Sequence, residues 1–171
     1  MTQPRILIAC IGNIFLGDDA FGVEVAKRLS QGKLPEEVRL VDFGIRGFDL
    51  AYALMNGYDV TIFVDATPRG GAPGTLYVIE PDLSELNAVS NAEPQGMLVE
   101  THGMHPLKVL ALAKSMGAEF KQILLVGCEP ATLGPEEGQL GLSEPVAAAV
   151  DEAVTLVESL IAEILSGRRG N

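Results

Sequence analysis

The chain reads as an α/β domain: a doubly wound, mostly parallel twisted sheet of about five strands with helices on both faces. Three observations predict it. Strand-like and helix-like patterns alternate along most of the 171 residues. The first apolar run, Ile6 to Ile11, is apolar on both faces, as a strand covered by helices on two sides must be. Glycine and proline cluster between the patterned segments, where turns belong.

Taken in order, residues 5–11 form the first buried strand. A glycine-rich turn follows, and Asp18 or Asp19 can cap a helix running to about residue 31. Phe21, Val23, Val25, Ala26 and Leu29 supply its apolar positions, and Gly32 ends it. Residues 37–42 form a shorter second strand, Gly44 to Gly47 a turn, and 48–56 a helix. Residues 59–66 form a third strand with Asp65 near its C-terminal end. The loop from Thr67 to Gly74 carries two prolines and three glycines, and the strand at 75–80 returns without a helix.

Residues 81–104 hold Pro81, Pro94, Gly96 and Gly103 with weak periodicity; a loop this long in a compact domain is often functional. A helix over 106–116 starts with Pro106 in its first turn and ends at Gly117. An apolar strand covers 120–128, a second Gly/Pro-rich loop runs from Glu129 to Gly141, and a long amphipathic helix spans 143–165, opened by Ser143-Glu144-Pro145. The tail, 167–171, reads as frayed. The length suits one domain, 1–171, with a real core.

The balance is that of a globular protein: 47% hydrophobic, 20% charged, 5% aromatic. The net charge of −11 argues against nucleic acid and against anionic membranes as partners. Cys10 and Cys128 each sit in an apolar strand-like run and read as small buried hydrophobes, not as a disulfide or a metal pair. The first five residues run straight into a strand and do not resemble a signal peptide, and no apolar run reaches the roughly 18 residues of a membrane span. The expected location is the cytoplasm.

The stretch from Gly12 to Gly22 is the most informative. A strand, a glycine-rich turn and a helix start usually cradle a phosphate. The Gly12–Gly17 spacing imitates the phosphate loop GxxxxGK[ST], but Asp18 and Asp19 stand where that motif needs Lys and then Ser or Thr. Two carboxylates repel a phosphate and attract a cation. Doubly wound sheets place their sites outside the C-terminal ends of strands, and there the acids accumulate: Asp18 and Asp19, Asp42, Asp65 and Glu129.

The two histidines, His102 and His105, stand at i and i+3 before a helix. If the helix starts early they share a face; if it starts at His105 they diverge. Pro106 disfavours a helical backbone at His105 and makes it a cap or loop residue. An acid at a helix start can simply complement the dipole, and one of Asp18 and Asp19 satisfies that role. The second is free to face the crevice. Two carboxylates and an imidazole suit a borderline divalent ion such as Zn²⁺, Ni²⁺ or Mn²⁺, with positions left open for substrate.

The ordered series of motifs resembles the nickel-iron hydrogenase maturation endopeptidases over nearly the whole chain. Gly12-Asn13 with Asp18-Asp19-Ala20-Phe21-Gly22 fits the family's opening turn. Val64-Asp65-Ala66 and the loop to Gly74-Thr75, Thr101-His102 with Val109-Leu110, and Leu124 to Pro130 followed by Gly141-Leu142-Ser143 fit the rest. Two departures stand out. Some members carry Glu in the place of Asp19, and many carry a Gly-Gly-Thr loop where this chain has Phe43, Ile45 and Arg46. The resemblance implies that Asp19, Asp65 and His102 form the catalytic and metal-accepting site. It implies nickel supplied by the substrate, with room for another divalent metal in isolation. It implies removal of a C-terminal extension from the precursor of the [NiFe]-hydrogenase large subunit, the metal acting as a recognition handle. Asp18 is expected to cap the helix and Asp19 to serve as ligand. The alternative reading is a non-catalytic chaperone or metal-site binding module for the same precursor. A nucleotide- or flavin-dependent enzyme is disfavoured by the absence of Lys after Gly17 and of GxGxxG.

Overall fold

The computed structural model of the protein describes residues 2–86, 105–135 and 137–169. Among them run five strands: β1 (Ile6–Ile11), β2 (Val38–Gly44), β3 (Val60–Ala66), β4 (Leu76–Ile79) and β5 (Gln122–Cys128). Four α-helices accompany them: α1 (Phe21–Ser30), α2 (Gly47–Leu54), α3 (Pro106–Ser115) and α4 (Glu144–Leu165). The sheet order is β2-β1-β3-β5-β4. All neighbours are parallel except β4, which runs antiparallel to β5. The expected doubly wound sheet is therefore present, with β4 as the returning edge strand.

Alternation along the strands divides the core in two. Ile6, Ile8 and Cys10 of β1 face one side with Ile62, Val64 and Val126, where they meet α1 and α4. Leu7, Ala9 and Ile11 face the other side with Phe63 and Ile123, where they meet α2 and α3. The helices bury stripes at helical spacing. In α4 these are Val146, Ala149, Val150, Ala153, Val157, Leu160, Ile161 and Ile164. Both cysteines are unpaired and buried in the first layer. Burial pushes the Cys128 thiol up to about 12, and it raises that of Cys10 as well.

The chain leaves β1 for β2 on one side and then crosses to β3 on the other, so the order reverses between β1 and β3. That is where an open α/β sheet forms its crevice. Two glycines let α1 press against it. A Cβ on Gly22 would stand 2.1 Å from the Ile11 carbonyl oxygen and 2.5 Å from that of Val64. A Cβ on Gly12 would stand 2.2 Å from the carbonyl oxygen of Asp19. Only the absence of both side chains allows the start of α1 to lie on the ends of β1 and β3.

β2 outlasts the expected strand because the register slips between Cys10 and Ile11, which brings Ile11 opposite Gly44. A 3-10 turn, Gly17–Ala20, separates the glycine-rich turn from α1, and no side chain caps either element. Asp18 is therefore not the cap of its own helix.

Candidate active site

Five acids stand at this edge of the sheet, and the structure sorts them by their hydrogen bonds. Asp18 is fully buried and does not line the crevice cavity. Its Oδ2 accepts from the Ala131 and Thr132 N–H groups at 2.8 and 3.1 Å and from the Ser143 hydroxyl at 2.8 Å. Its Oδ1 accepts from the Ser143 N–H at 2.7 Å. Ser143 is the N-cap of α4, so this carboxylate ties the first turn to the last loop and sits at the positive end of the longest helix. Burial pushes its pKa up, but the bonds from Ser143, Thr132 and Ala131 outweigh burial and hold it below the ordinary 3.8.

Glu129 is a second staple. Its oxygens accept from the Arg69 N–H at 2.7 Å, the Gly70 N–H at 2.8 Å and the Tyr77 hydroxyl at 3.2 Å. Burial acts to raise its pKa, but these bonds and one from Gly71 win and hold it below 4.5. Its work is to fold the loop that leaves β3. Asp42, at the end of β2, accepts from the Gly44 N–H at 2.9 Å and closes a turn.

Asp19 and Asp65 are different. Asp19 Oδ2 accepts one bond, from the Asn13 N–H at 3.0 Å. Asn13 is held in turn, its side-chain oxygen accepting from the Phe15 N–H at 2.9 Å. Burial raises the Asp19 carboxyl against that single donor. Asp65, opposite Gly127 of β5, is 7% exposed. Burial raises its carboxyl well above the ordinary 3.8, the Asp19 charge raises it further, and the Ala66 N–H works against both. Two carboxylates that penalise each other's charge, with few donors between them, either share a proton or await a cation.

Both acids line one cavity of about 600 Å³, between the ends of β3, β5 and β4 and the start of α3. Its floor is apolar, with Phe63, Leu110 and Leu125 among its walls. Arg69 and His105 also line it. His105 is the N-cap of α3, its Nδ1 accepting from the Leu107 N–H at 3.2 Å, as expected for a residue before proline. His102 lies outside the described residues. Among the described residues, no group of three or more His, Cys, Asp or Glu comes together to hold a metal. What the structure brings together is the Asp19–Asp65 pair.

Sequence reasoning passed over three features of this site. The sequence motif assigns Asn13 no task, although an Asn beside a turn commonly organises it. Arg69, four residues past Asp65, puts a cation in a cavity otherwise rich in acid. Glu129 was grouped with the crevice acids, but its bonds show it to be a loop anchor.

Residues 23–160 match the family model for hydrogenase maturation protease. The Hydrogenase 2 maturation protease of Escherichia coli is 30% identical over 161 residues, covering 93% of this chain and 92% of that protein. A hydrogenase expression/formation protein of Azotobacter chroococcum is 35% identical, covering 95% of this chain and 74% of its own length. Among solved structures, a hydrogenase maturating endopeptidase from Escherichia coli superposes with a TM-score of 0.71 at 30% identity, covering 93% of each chain. A hydrogenase 2 maturation peptidase from a Thaumarchaeota archaeon gives 0.68 at 34% identity, covering 92% of this chain and 98% of that one. The matching family model, the Escherichia coli relative and both solved structures are described as proteases or peptidases, which favours the enzyme over the non-catalytic chaperone. With the doubly wound sheet, the acid pair at its switch point and this likeness over nearly the full length, the chain belongs to the hydrogenase maturation protease family.

Proposed function

We propose that this peptidase removes the C-terminal extension of a [NiFe]-hydrogenase large-subunit precursor once nickel has been inserted, and that the nickel is the handle by which the precursor is recognised. The observation that carries the reading is the contrast between the acids. Asp18 and Glu129 are saturated with donors, whereas half-buried Asp19 and buried Asp65 are coupled through their charges and take one backbone donor each. Such a pair is unfavourable when fully ionised and becomes favourable when a divalent ion arrives.

A precursor that already carries its nickel brings that ion to the pair. Asp19 and Asp65 complete its coordination as carboxylates, with His102 as the third ligand expected from the sequence. Binding at the metal fixes the neighbouring peptide bond over the cavity, so orientation supplies a large part of the catalysis. A carboxylate oxygen of the pair orients the attacking water and takes its proton. A precursor without nickel offers nothing to offset the repulsion, and the same pair then acts as a check on metal loading. We place the reaction in the cytoplasm. No helix among the described residues is long and apolar enough to cross a membrane.

The test is to incubate the protein with nickel-loaded and nickel-free precursor and weigh the products. The expected result is a single cut near the C-terminus of the loaded form only. Equal cutting of both forms would overturn the handle, and no cutting of the loaded form would overturn the function.

A further inference from the structure

Among the described residues, the sheet leaves one edge open beside the cavity. In β4, residues 76–79 pair antiparallel with 128–125 of β5. The Glu129 N–H donates to the Thr75 carbonyl at 2.8 Å, so 75 and 129 form a hydrogen-bonded pair. By the alternation of an antiparallel ladder, Tyr77 and Ile79 also bond β5, and the N–H and C=O of Leu76 and Val78 point outward. No hydrogen bond of those outward groups is present among the described residues. Val78 is 39% exposed. An edge of this kind is a template for an added strand.

The two margins of the sheet are not equivalent. Ile79 of β4 and the residues that follow it, Pro81 and Asp82, line the cavity that holds Asp19 and Asp65. No residue of β2, at the other margin, lines it. A chain leaving the acid pair along the cavity therefore arrives at β4.

We infer that the open edge of β4 receives the precursor's C-terminal extension as an added β-strand, an inference that rests on the peptidase reading above. The occupant is an extended, unfolded peptide, because only such a segment can offer its own N–H and C=O groups to the edge. An added strand would lie three strand spacings, about 14 Å, from β3 and Asp65. Extended chain covers that in about four residues. The paired segment is thus the part of the extension that begins about four residues beyond the cut. Backbone pairing would make the edge tolerant of the extension's side chains, while the metal supplies the stringency.

Val78→Pro is the direct test. Proline is accepted on an edge strand where its missing N–H faced outward, so pairing with β5 survives while the donor to the added strand is lost. The expected result is a KM for the loaded precursor raised about tenfold, the scale of one or two net hydrogen bonds. kcat and the melting temperature should stay unchanged, and Val78→Ala should behave as the unaltered protein. An independent arm keeps the protein unaltered and places single prolines along the extension. Sensitivity with a period of two, starting about four residues past the cut, is expected for strand pairing. An unchanged KM in Val78→Pro, or proline effects without that period, would overturn the inference. Failure of the unaltered pair to react at all would instead strike the peptidase reading, and the two failures are distinct because that one needs neither variant.

Discussion

Asp18→Asn separates the two neighbouring acids more sharply than any other change. The carboxylate accepts four bonds, three at Oδ2 and one at Oδ1. An asparagine has one acceptor oxygen. Its best orientation keeps that oxygen in the place of Oδ2 and turns its NH₂ toward the Ser143 N–H, so donor meets donor at the N-cap of α4. Bonds to a charged acceptor are worth about 1.5–3 kcal/mol each, so losing one and weakening three costs about 3 kcal/mol. For a chain of this size that lowers the melting temperature by about 6–12 °C. The Asp19–Asp65 pair is untouched, so processing of loaded precursor at low temperature should persist. Circular dichroism melts and a gel assay at about 15 °C below the new midpoint, in the spirit of separating fold from chemistry, read both quantities. An unchanged melting temperature with lost processing would refute the assignment, because Asp18 would then belong to the chemistry and not to the staple.

Asp19→Asn and Asp65→Asn should do the reverse: each abolishes processing, and each leaves the melting temperature unchanged or higher, because a buried charge and its repulsion are removed. The pH dependence of stability follows from signs. Asp65 and Asp19 titrate above 3.8 when folded, so they bind protons more readily in the folded state, and stability rises as pH falls from neutral through their raised titration range. Asp18, Glu129 and Asp59 titrate below 3.8 to 4.5, so their contribution is full above that range and is lost as pH falls through it. Thermal melts across pH should therefore peak at mildly acid pH, and Asp65→Asn should flatten the neutral side alone. Gly22→Ala forces a Cβ to within 2.1 Å of the Ile11 carbonyl and should cost about 3 kcal/mol, with loss of processing as α1 lifts from the crevice. A melt and an activity assay of soluble Gly22→Ala check it, and wild-type behaviour would show that the crevice tolerates displacement.

Much of the fold was legible because periodicity and turn chemistry are local. The buried β1 and the terminal α4 follow from patterns within about 20 residues, and the structure places β1 at Ile6–Ile11 and α4 at Glu144–Leu165. The pattern at 75–80 predicts a strand that returns without a helix, and Leu76–Ile79 does so antiparallel. Strand order was not legible, since it depends on which faces pair across the chain. The end of β2 is not legible either, because it is set by a register slip against β1 that leaves Phe43 of β2 as the extra residue.

The site shows the same division at the scale of single side chains. In sequence, Asp18 and Asp19 are equivalent: adjacent acids at a helix start, either able to complement the dipole. What distinguishes them lies far away. Asp18 is occupied by Ser143, 125 residues on, whereas Asp19 finds only Asn13, six residues back. Glu129 likewise looks like a crevice acid until its donors, Arg69 and Gly70, arrive from the loop after β3. An acid at a strand end is therefore no sign of chemistry in itself, because backbone N–H groups can consume it. The reactive pair is what remains after the loops have taken the acids they need. It follows that Asp18 and Glu129 still matter to the reaction, though neither lines the cavity: they hold the two loops beside Asp19 and Asp65, which keep one backbone donor each.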